Sequence, residues 1–433
     1  MTFWNERIET MPVDELKELQ LELLKKQIDN VYRNSPFYRK RMDDAGVKPG
    51  DIRTLDDIRK LPFMKKSDLR DNYPDKLFML PYQELVRVHV SSGTTGKPTV
   101  VGYTKNDLEN WSESLARGMT SFGMGKDDML ENSHGYGLFT GGLGVHAAGE
   151  KIGATVLPTS TGNTNRQIEL MLDLPVTSLA GTPSYIFHIA DICDQKGVDI
   201  RRDTKVRRAI AGGEPWSESM RKKLQERTGI RVHNCYGASE MSGPMFLECS
   251  EQQGIHVWAD LCLIEILDEK GEPCRDGERG EMVVTMLKKE AFPIIRYRIG
   301  DISRLMWEKC ACGRTHPRLD RLSGRTDDML VVRGINVFPS QIEAVIGEMP
   351  FLSPFYHITL TNANYMDNML IEAELNEEHL TDDMIALARY RSELSSRLKE
   401  VLNIKADIKL VLPGTLQRFE GKSSHVTDNR NWD

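Results

Sequence analysis

Between residues 151 and 231, short apolar runs alternate with amphipathic ones. Residues 154–157, 178–180 and 208–211 read as strands, and 166–172, 183–195 and 218–228 as helices. Strands joined through helices of this length pair in parallel and need helices over both faces, which sets an α/β class. Ligands of such sheets bind past the carboxyl ends of the strands. Two loops fall there: Gly212-Gly213-Glu214-Pro215, and Tyr236-Gly237-Ala238-Ser239-Glu240 after a strand over 231–235.

The rest of the chain surrounds this alternation with other patterns. Residues 13–43 carry helical spacing interrupted at Pro36, and 106–122 is a further helix. Beyond Leu261 the period turns to two, with turn clusters such as Glu269-Lys270-Gly271-Glu272-Pro273, as expected of a small antiparallel β unit. The polar break Ser323-Gly324-Arg325-Thr326-Asp327-Asp328 precedes a helix at 340–347, strands at 355–360 and 369–375, a charged helix at 382–401 and a strand at 408–412. The expected organisation is a large domain, 1–326, of parallel-rich sheets covered by helices plus the β unit, and a small α+β domain, 327–433. At 433 residues both can bury a core.

Net charge is -7, with no basic stripe, which argues against a dedicated nucleic-acid or membrane-surface binder. The first eleven residues have no apolar core, no run approaches the length needed to span a bilayer, and seven cysteines suit free thiols or a metal site. A cytoplasmic protein is expected.

Ser91-Ser92-Gly93-Thr94-Thr95-Gly96-Lys97 follows a β-type run at 85–90. Glycines let the backbone approach anionic oxygens, hydroxyls and amides donate, and lysine adds a point charge, so the composition suits a polyphosphate. It is not a Walker loop, because only two residues separate Gly93 from Gly96-Lys97 where four are needed. A Ser/Thr/Gly surface turn has the same composition. The run from Asn132 to Gly144 is rich in glycine and aromatics but misses the dinucleotide fingerprint, since Thr140 stands where the third glycine belongs. Tyr136 and Phe139 there suit a flat organic substrate, or else a tightly packed turn.

Taken in order, Ser91 to Pro98, Gly213-Glu214-Pro215, Tyr236-Gly237-x-Ser239-Glu240, Arg298-x-Gly300-Asp301, Gly324-Arg325-x-Asp327-Asp328, Arg333-Gly334-x-Asn336 and Glu420-Gly421-Lys422 resemble the adenylate-forming superfamily of acyl-CoA synthetases, and most closely its phenylacetate-CoA ligase branch. The resemblance covers nearly the whole chain. It implies that an acid attacks ATP to give an acyl-adenylate and pyrophosphate, and that coenzyme A then takes the acyl group.

By that resemblance Ser91, Ser92, Gly93, Thr94, Thr95, Gly96 and Lys97 cradle phosphates, and Glu240 holds Mg²⁺. Asp301 and Arg325 take the ribose, while Gly213, Glu214, Pro215, Tyr236, Gly237 and Ser239 complete the ATP site. Lys422 is the adenylation lysine, Asp327 the hinge, and Arg333 and Gly334 line the CoA path. Tyr136, Phe139, Gly141, Ala238 and Pro244 line the acid pocket, for which phenylacetate or a close arylacetate is expected. A homodimer is implied as well. The chain departs from the family at Phe419, where a small hydroxyl residue usually precedes Glu-Gly-Lys.

Cys310-Ala311-Cys312-Gly313 resembles half a metal knuckle, which Cys249 and His256 could complete as a structural Cys3His zinc site. Four unrelated groups remain the alternative, the spacings being irregular for zinc. Two further functions stay open: an adenylating enzyme that hands its acyl group to a carrier protein or amine, and a non-catalytic acyl-AMP- or zinc-binding protein.

Overall fold

The computed structural model describes residues 2–91, 98–138, 140–214, 216–322, 324–325, 330–332, 335–363, 366–402, 404–417 and 425–430. These fall into two compact units, one formed by 1–181, 201–213 and 233–322, the other by 182–200, 214–232 and 323–433.

In the first unit a one-turn helix, Glu6–Glu9, is followed by helices Val13–Asn34 and Pro36–Asp44, and the break expected at Pro36 is where Ser35 caps the last of these. A hairpin of β1 (Arg87–Val90) and β2 (Val100–Tyr103) follows. Helix Lys105–Ser121 starts on a capping box: Asp107 N–H donates to Thr104 Oγ1, and Thr104 N–H donates to the Asp107 carboxylate, each at 3.0 Å. Its buried face, with Trp111, Leu115 and Met119, lies in the main core.

The central sheet has six strands: β3 (Met129–Asn132), β4 (Thr155–Leu157), β5 (Ser178–Gly181), β6 (Arg208–Gly212), β7 (Arg231–Ala238) and β8 (Gly243–Leu247). Their order is β4-β3-β5-β6-β7-β8, with β3 to β6 parallel and β8 antiparallel to β7. The expected alternation is borne out at 155–157, 178–181 and 208–212. One expectation needs correcting: Tyr236, Gly237 and Ala238 are not loop but the end of β7, carried on because β8 pairs with them through a bulge between Tyr236 and Gly237.

The small β unit is present as β9 (Ile255–His256), β10 (Cys262–Leu267), β11 (Gly280–Met286), β12 (Tyr297–Ser303), β13 (Leu305–Met306) and β14 (Arg318–Leu319). β10, β11 and β12 form an antiparallel meander, and β13, β14 and β9 a second small sheet.

In the second unit helix Glu218–Thr228 packs on helix Pro339–Glu348, so closely that a Cβ on Gly347 would sit 2.1 Å from Ser219 Oγ. Strands Leu352–Ala363 and Met366–Leu375 form a hairpin flanked in parallel by Val426–Asp428 and Asp407–Val411. Helix Met384–Leu402 covers it through Leu394, Leu398 and Leu402. No helix among the described residues is long and apolar enough to cross a membrane.

Candidate active site

The carboxyl ends of β3, β6 and β7 carry several of the expected groups of the first unit, while Ser91 follows β1, Pro244 lies in β8 and Asp301 in β12. Ser91 is tied to Thr99: its N–H donates to Thr99 O and its Oγ accepts from Thr99 N–H, both at 2.9 Å. Ser92, Gly93, Thr94, Thr95, Gly96 and Lys97 lie outside the described residues, as do Phe139, Pro215, Asp327, Arg333, Gly334 and Lys422. Arg325 is described by its backbone alone, in the short strand Gly324–Arg325.

At the end of β7 the chain brings together six of the expected residues, Tyr236 to Glu240 with Asp301. Tyr236 donates its phenolic hydrogen to Asp301 Oδ2 at 2.5 Å, with both side chains buried. Gly237 faces Gly243 so closely that a Cβ would lie 2.0 Å from Gly243 O, which restricts this position to glycine. Ala238, Ser239 and Glu240 lead into a tight turn, in which Met241 N–H donates to Ala238 O at 3.0 Å. Glu240 is half-buried; its carboxylate accepts from Tyr297 Oη at 3.5 Å, and its carbonyl accepts from Lys289 Nζ at 3.0 Å. Burial pushes the Lys289 ammonium down to about 8, with Asp107 and Glu240 pulling the other way. Pro244, one strand over, accepts from Trp111 Nε1 through its carbonyl at 2.6 Å.

The glycine-rich run after β3 is shaped by close approach. A Cβ on Gly142 would lie 2.5 Å from Gly135 O, so the start of helix Gly141–Lys151 folds back on the preceding turn only with glycine there. Asn132 Nδ2 donates to Gly142 O and to Tyr136 Oη, each at 2.8 Å, and the phenol in turn meets His146 Nδ1 at 3.0 Å. His146 Nε2 lies 3.1 Å from Glu150. Tyr136 is thus held at its hydroxyl by two side chains, and burial raises its phenol to about 12.

Two buried titratable groups flank Asn132. Glu131 is fully buried, and among the described residues neither carboxylate oxygen has a hydrogen-bond partner. Burial lifts it to about 8; nearby Thr159 offsets this only slightly, its hydroxyl being turned to Asn132 O at 3.3 Å. Burial alone pushes His134 down to about 4, so both groups are neutral at pH 7.

Of the remaining expected residues, Gly213 directly follows β6 with φ +91°. Glu214 belongs to the second unit, where its Oε1 accepts from Ser184 N–H at 2.5 Å. Asn132, His146, Lys289 and Tyr297 were not singled out from the sequence. A lone asparagine or histidine, or a lysine in Leu287-Lys288-Lys289-Glu290, carries no spacing signal.

Cys249, His256, Cys310 and Cys312 also come together. All four are buried and their ligand atoms lie within 4.8 Å of one another. Cys249 Sγ and Cys310 Sγ are 3.7 Å apart, and Cys312 Sγ and His256 Nε2 3.4 Å. Edges of this length suit a tetrahedron with metal–sulfur bonds of about 2.3 Å and metal–nitrogen bonds of about 2.0–2.1 Å. Hydrogen bonds from Cys249 and Cys310, with His256 beside it, push the Cys312 thiol down toward thiolate. The fold has thus collected three thiols and an imidazole, and the contacts among them favour anionic sulfur at Cys312 against the opposing effect of burial, which fits a closed structural site.

Residues 21–286 match the family model described as AMP-binding enzyme, and 334–430 that described as AMP-binding enzyme C-terminal domain. The phenylacetate-coenzyme A ligase of Thermus thermophilus is 43% identical over 98% of both chains. That of Escherichia coli is 43% identical over 98% of this chain and 97% of its own. The chain belongs to the AMP-binding enzymes, in their phenylacetate-CoA ligase branch. This ligase is similar in structure to 2-hydroxyisobutyryl-CoA ligase in its postadenylation state with R3-HIB-AMP. The TM-score is 0.92 at 28% identity, over 99% of this chain and 92% of the other. The enzyme is therefore an ATP-dependent, AMP-forming acid–thiol ligase that activates an acid as its adenylate and passes it to coenzyme A.

Proposed function

We propose that the acid is phenylacetate or a close arylacetate. The observation that carries this is the fixed ring of Tyr136, held at its hydroxyl by Asn132 and His146 on the glycine-rich turn. A rigid aromatic wall favours an aryl group by offset or edge contact over a long flexible chain, and the relatives' names point the same way. Phe139, Gly141, Ala238 and Pro244 complete the pocket in this reading. The test is a comparison of phenylacetate, indoleacetate, benzoate and hexanoate by kcat/KM. Phenylacetate or indoleacetate should lead, and best turnover on hexanoate would overturn the aryl pocket.

Carboxylate and triphosphate are both anions, so adenylation needs donors and positive charge more than a base. Ser91 to Lys97 hold the outer phosphates in this reading. Glu240, a single half-buried carboxylate on a turn, fits the sparse carboxylate ligation that Mg²⁺ accepts beside phosphates and water. Asp301, oriented by the Tyr236 phenolic donor, takes the ribose hydroxyls with Arg325. Gly213, Glu214, Pro215, Tyr236, Gly237 and Ser239 line the nucleotide. Lys422 neutralises charge growing on the α-phosphate and carboxylate. A domain of 327–433 pivoting at Asp327 brings Lys422 for the first step and the CoA path at Arg333 and Gly334 for the second.

Zn²⁺ bound by Cys249, His256, Cys310 and Cys312 has a structural role in this reading. Coenzyme A and ATP as co-substrates, with seven free thiols, favour the cytoplasm. The homodimer rests on family resemblance alone, and sedimentation of the purified chain decides it.

A further inference from the structure

We propose that Lys289 is the positioning residue that holds Glu240 in place for the nucleotide step. The inference rests on the role given to Glu240 above. Lys289 is 2% exposed, and among the described residues no carboxylate lies within 4.0 Å of its ammonium. Its Nζ instead donates to the main-chain carbonyl of Glu240 at 3.0 Å. The Tyr103 and Phe292 rings lie 4.9 Å and 5.6 Å away. Burying a lysine without a carboxylate is costly, and ring faces with one carbonyl repay only part of that. Packing alone would be served as well by methionine.

The backbone that delivers this lysine is clamped on both sides. Lys289 O accepts from Gln27 Nε2 at 2.7 Å, and the N–H groups of Glu290 and Ala291 both donate to Asp107, at 2.8 Å and 3.1 Å. Asp107 is the same carboxylate that caps helix Lys105–Ser121, so the lysine stands on a rigid base. It reaches a turn whose inner carbonyls are both held: Glu240 O by Lys289, and Ser242 O by Tyr103 Oη at 3.1 Å. Among the described residues the Glu240 carboxylate has only the long contact to Tyr297. Lys289 therefore fixes the main chain of the turn and leaves the acid to be aimed outward.

The test is a cycle of K289M, E240Q and the double variant. Three quantities are read: KM for MgATP in acid-dependent pyrophosphate exchange, the rate of thioester formation from supplied acyl-adenylate, and ATP affinity by calorimetry. Losing a hydrogen bond from a charged donor should raise KM for MgATP by about tenfold or more and weaken ATP binding to match. Thioester formation from the adenylate should be unchanged, and K289M should add little to E240Q. If E240Q raises KM and K289M does not, or if K289M slows both half-reactions equally, the positioning role is wrong while Glu240 keeps its own. If E240Q leaves MgATP dependence unchanged, the reading of Glu240 fails and the inference with it. Should K289M not fold, K289Q, which keeps a neutral donor, is read by the same criteria.

Discussion

Tyr236 and Asp301 are joined by a 2.5 Å hydrogen bond that links the end of β7 to the middle of β12. The contact fixes the orientation of the carboxylate before any ligand arrives, which reduces the ordering left for the binding role proposed for it. Y236F should raise KM for ATP in pyrophosphate exchange by about tenfold, the scale of a hydrogen bond to a charged group. An unchanged KM would separate Tyr236 from the ribose-binding role proposed for Asp301.

Glu131 and His134 should shape the pH dependence of stability in opposite ways. Glu131 stands at about 8 in the fold against an ordinary 4.5. Its contribution is fully present below about pH 4.5 and is lost as pH rises through about 8. His134 stands at about 4 against 6.5, so its contribution is present above about pH 6.5 and is lost as pH falls through about 4. At about 1.4 kcal/mol per unit, E131Q should spare the enzyme about 2 kcal/mol of the stability lost between about pH 6.5 and 8. Urea titrations across that range measure this, and parallel curves for the two proteins would count against a neutral Glu131.

Arg314 and Glu9 form an ion pair at 2.6 Å with 1% and 0% side-chain exposure, across 305 residues of sequence. His316 adds a contact from Nε2 to Ile8 O at 2.9 Å, so the segment after Cys312 ties the start of the chain to the β unit. R314M leaves Glu9 buried and unpaired, and should cost about 3–5 kcal/mol, read as a lowered urea midpoint with activity retained by the folded fraction. A change near zero would mean that Glu9 is accommodated without its cation.

The cysteine–histidine cluster predicts about one zinc per chain in protein purified without added metal. C312S should lose that zinc and lower the thermal midpoint, and a strong chelator should do the same to the native protein. Native protein with no stoichiometric metal would remove the site from the account.

Much of this was legible in the sequence. The alternation at 154–228 named the three strands and the three longer helices there, because length and apolar pattern agree with the final packing; the one-turn helix Ile200–Asp203 was too short to show a period. Gly237 and Gly142 stood out as glycines in motifs, but their reason, backbone passing within van der Waals distance, needed coordinates. The extension of β7 through Ala238 was hidden because Gly237-Ala238-Ser239 carries turn residues, and the partner β8 overrides that local preference. Lys289 and His146 were illegible for a different cause. Their partners, Glu240 and Tyr136, are reached across 49 and 10 residues without a motif, and a lysine in a charged tetrapeptide reads as solvated.

The central claim is that charge from Lys422 converges on the nucleotide in the acid-activating step alone. The most direct measurement compares wild type with K422A in two assays: phenylacetate-dependent ATP–pyrophosphate exchange, and release of phenylacetyl-CoA from supplied phenylacetyl-adenylate and coenzyme A. The account predicts that K422A loses exchange by orders of magnitude, about 10²–10³ for one lost charge-stabilising contact, and keeps the second reaction. Equal loss in both, or exchange left intact, would contradict it.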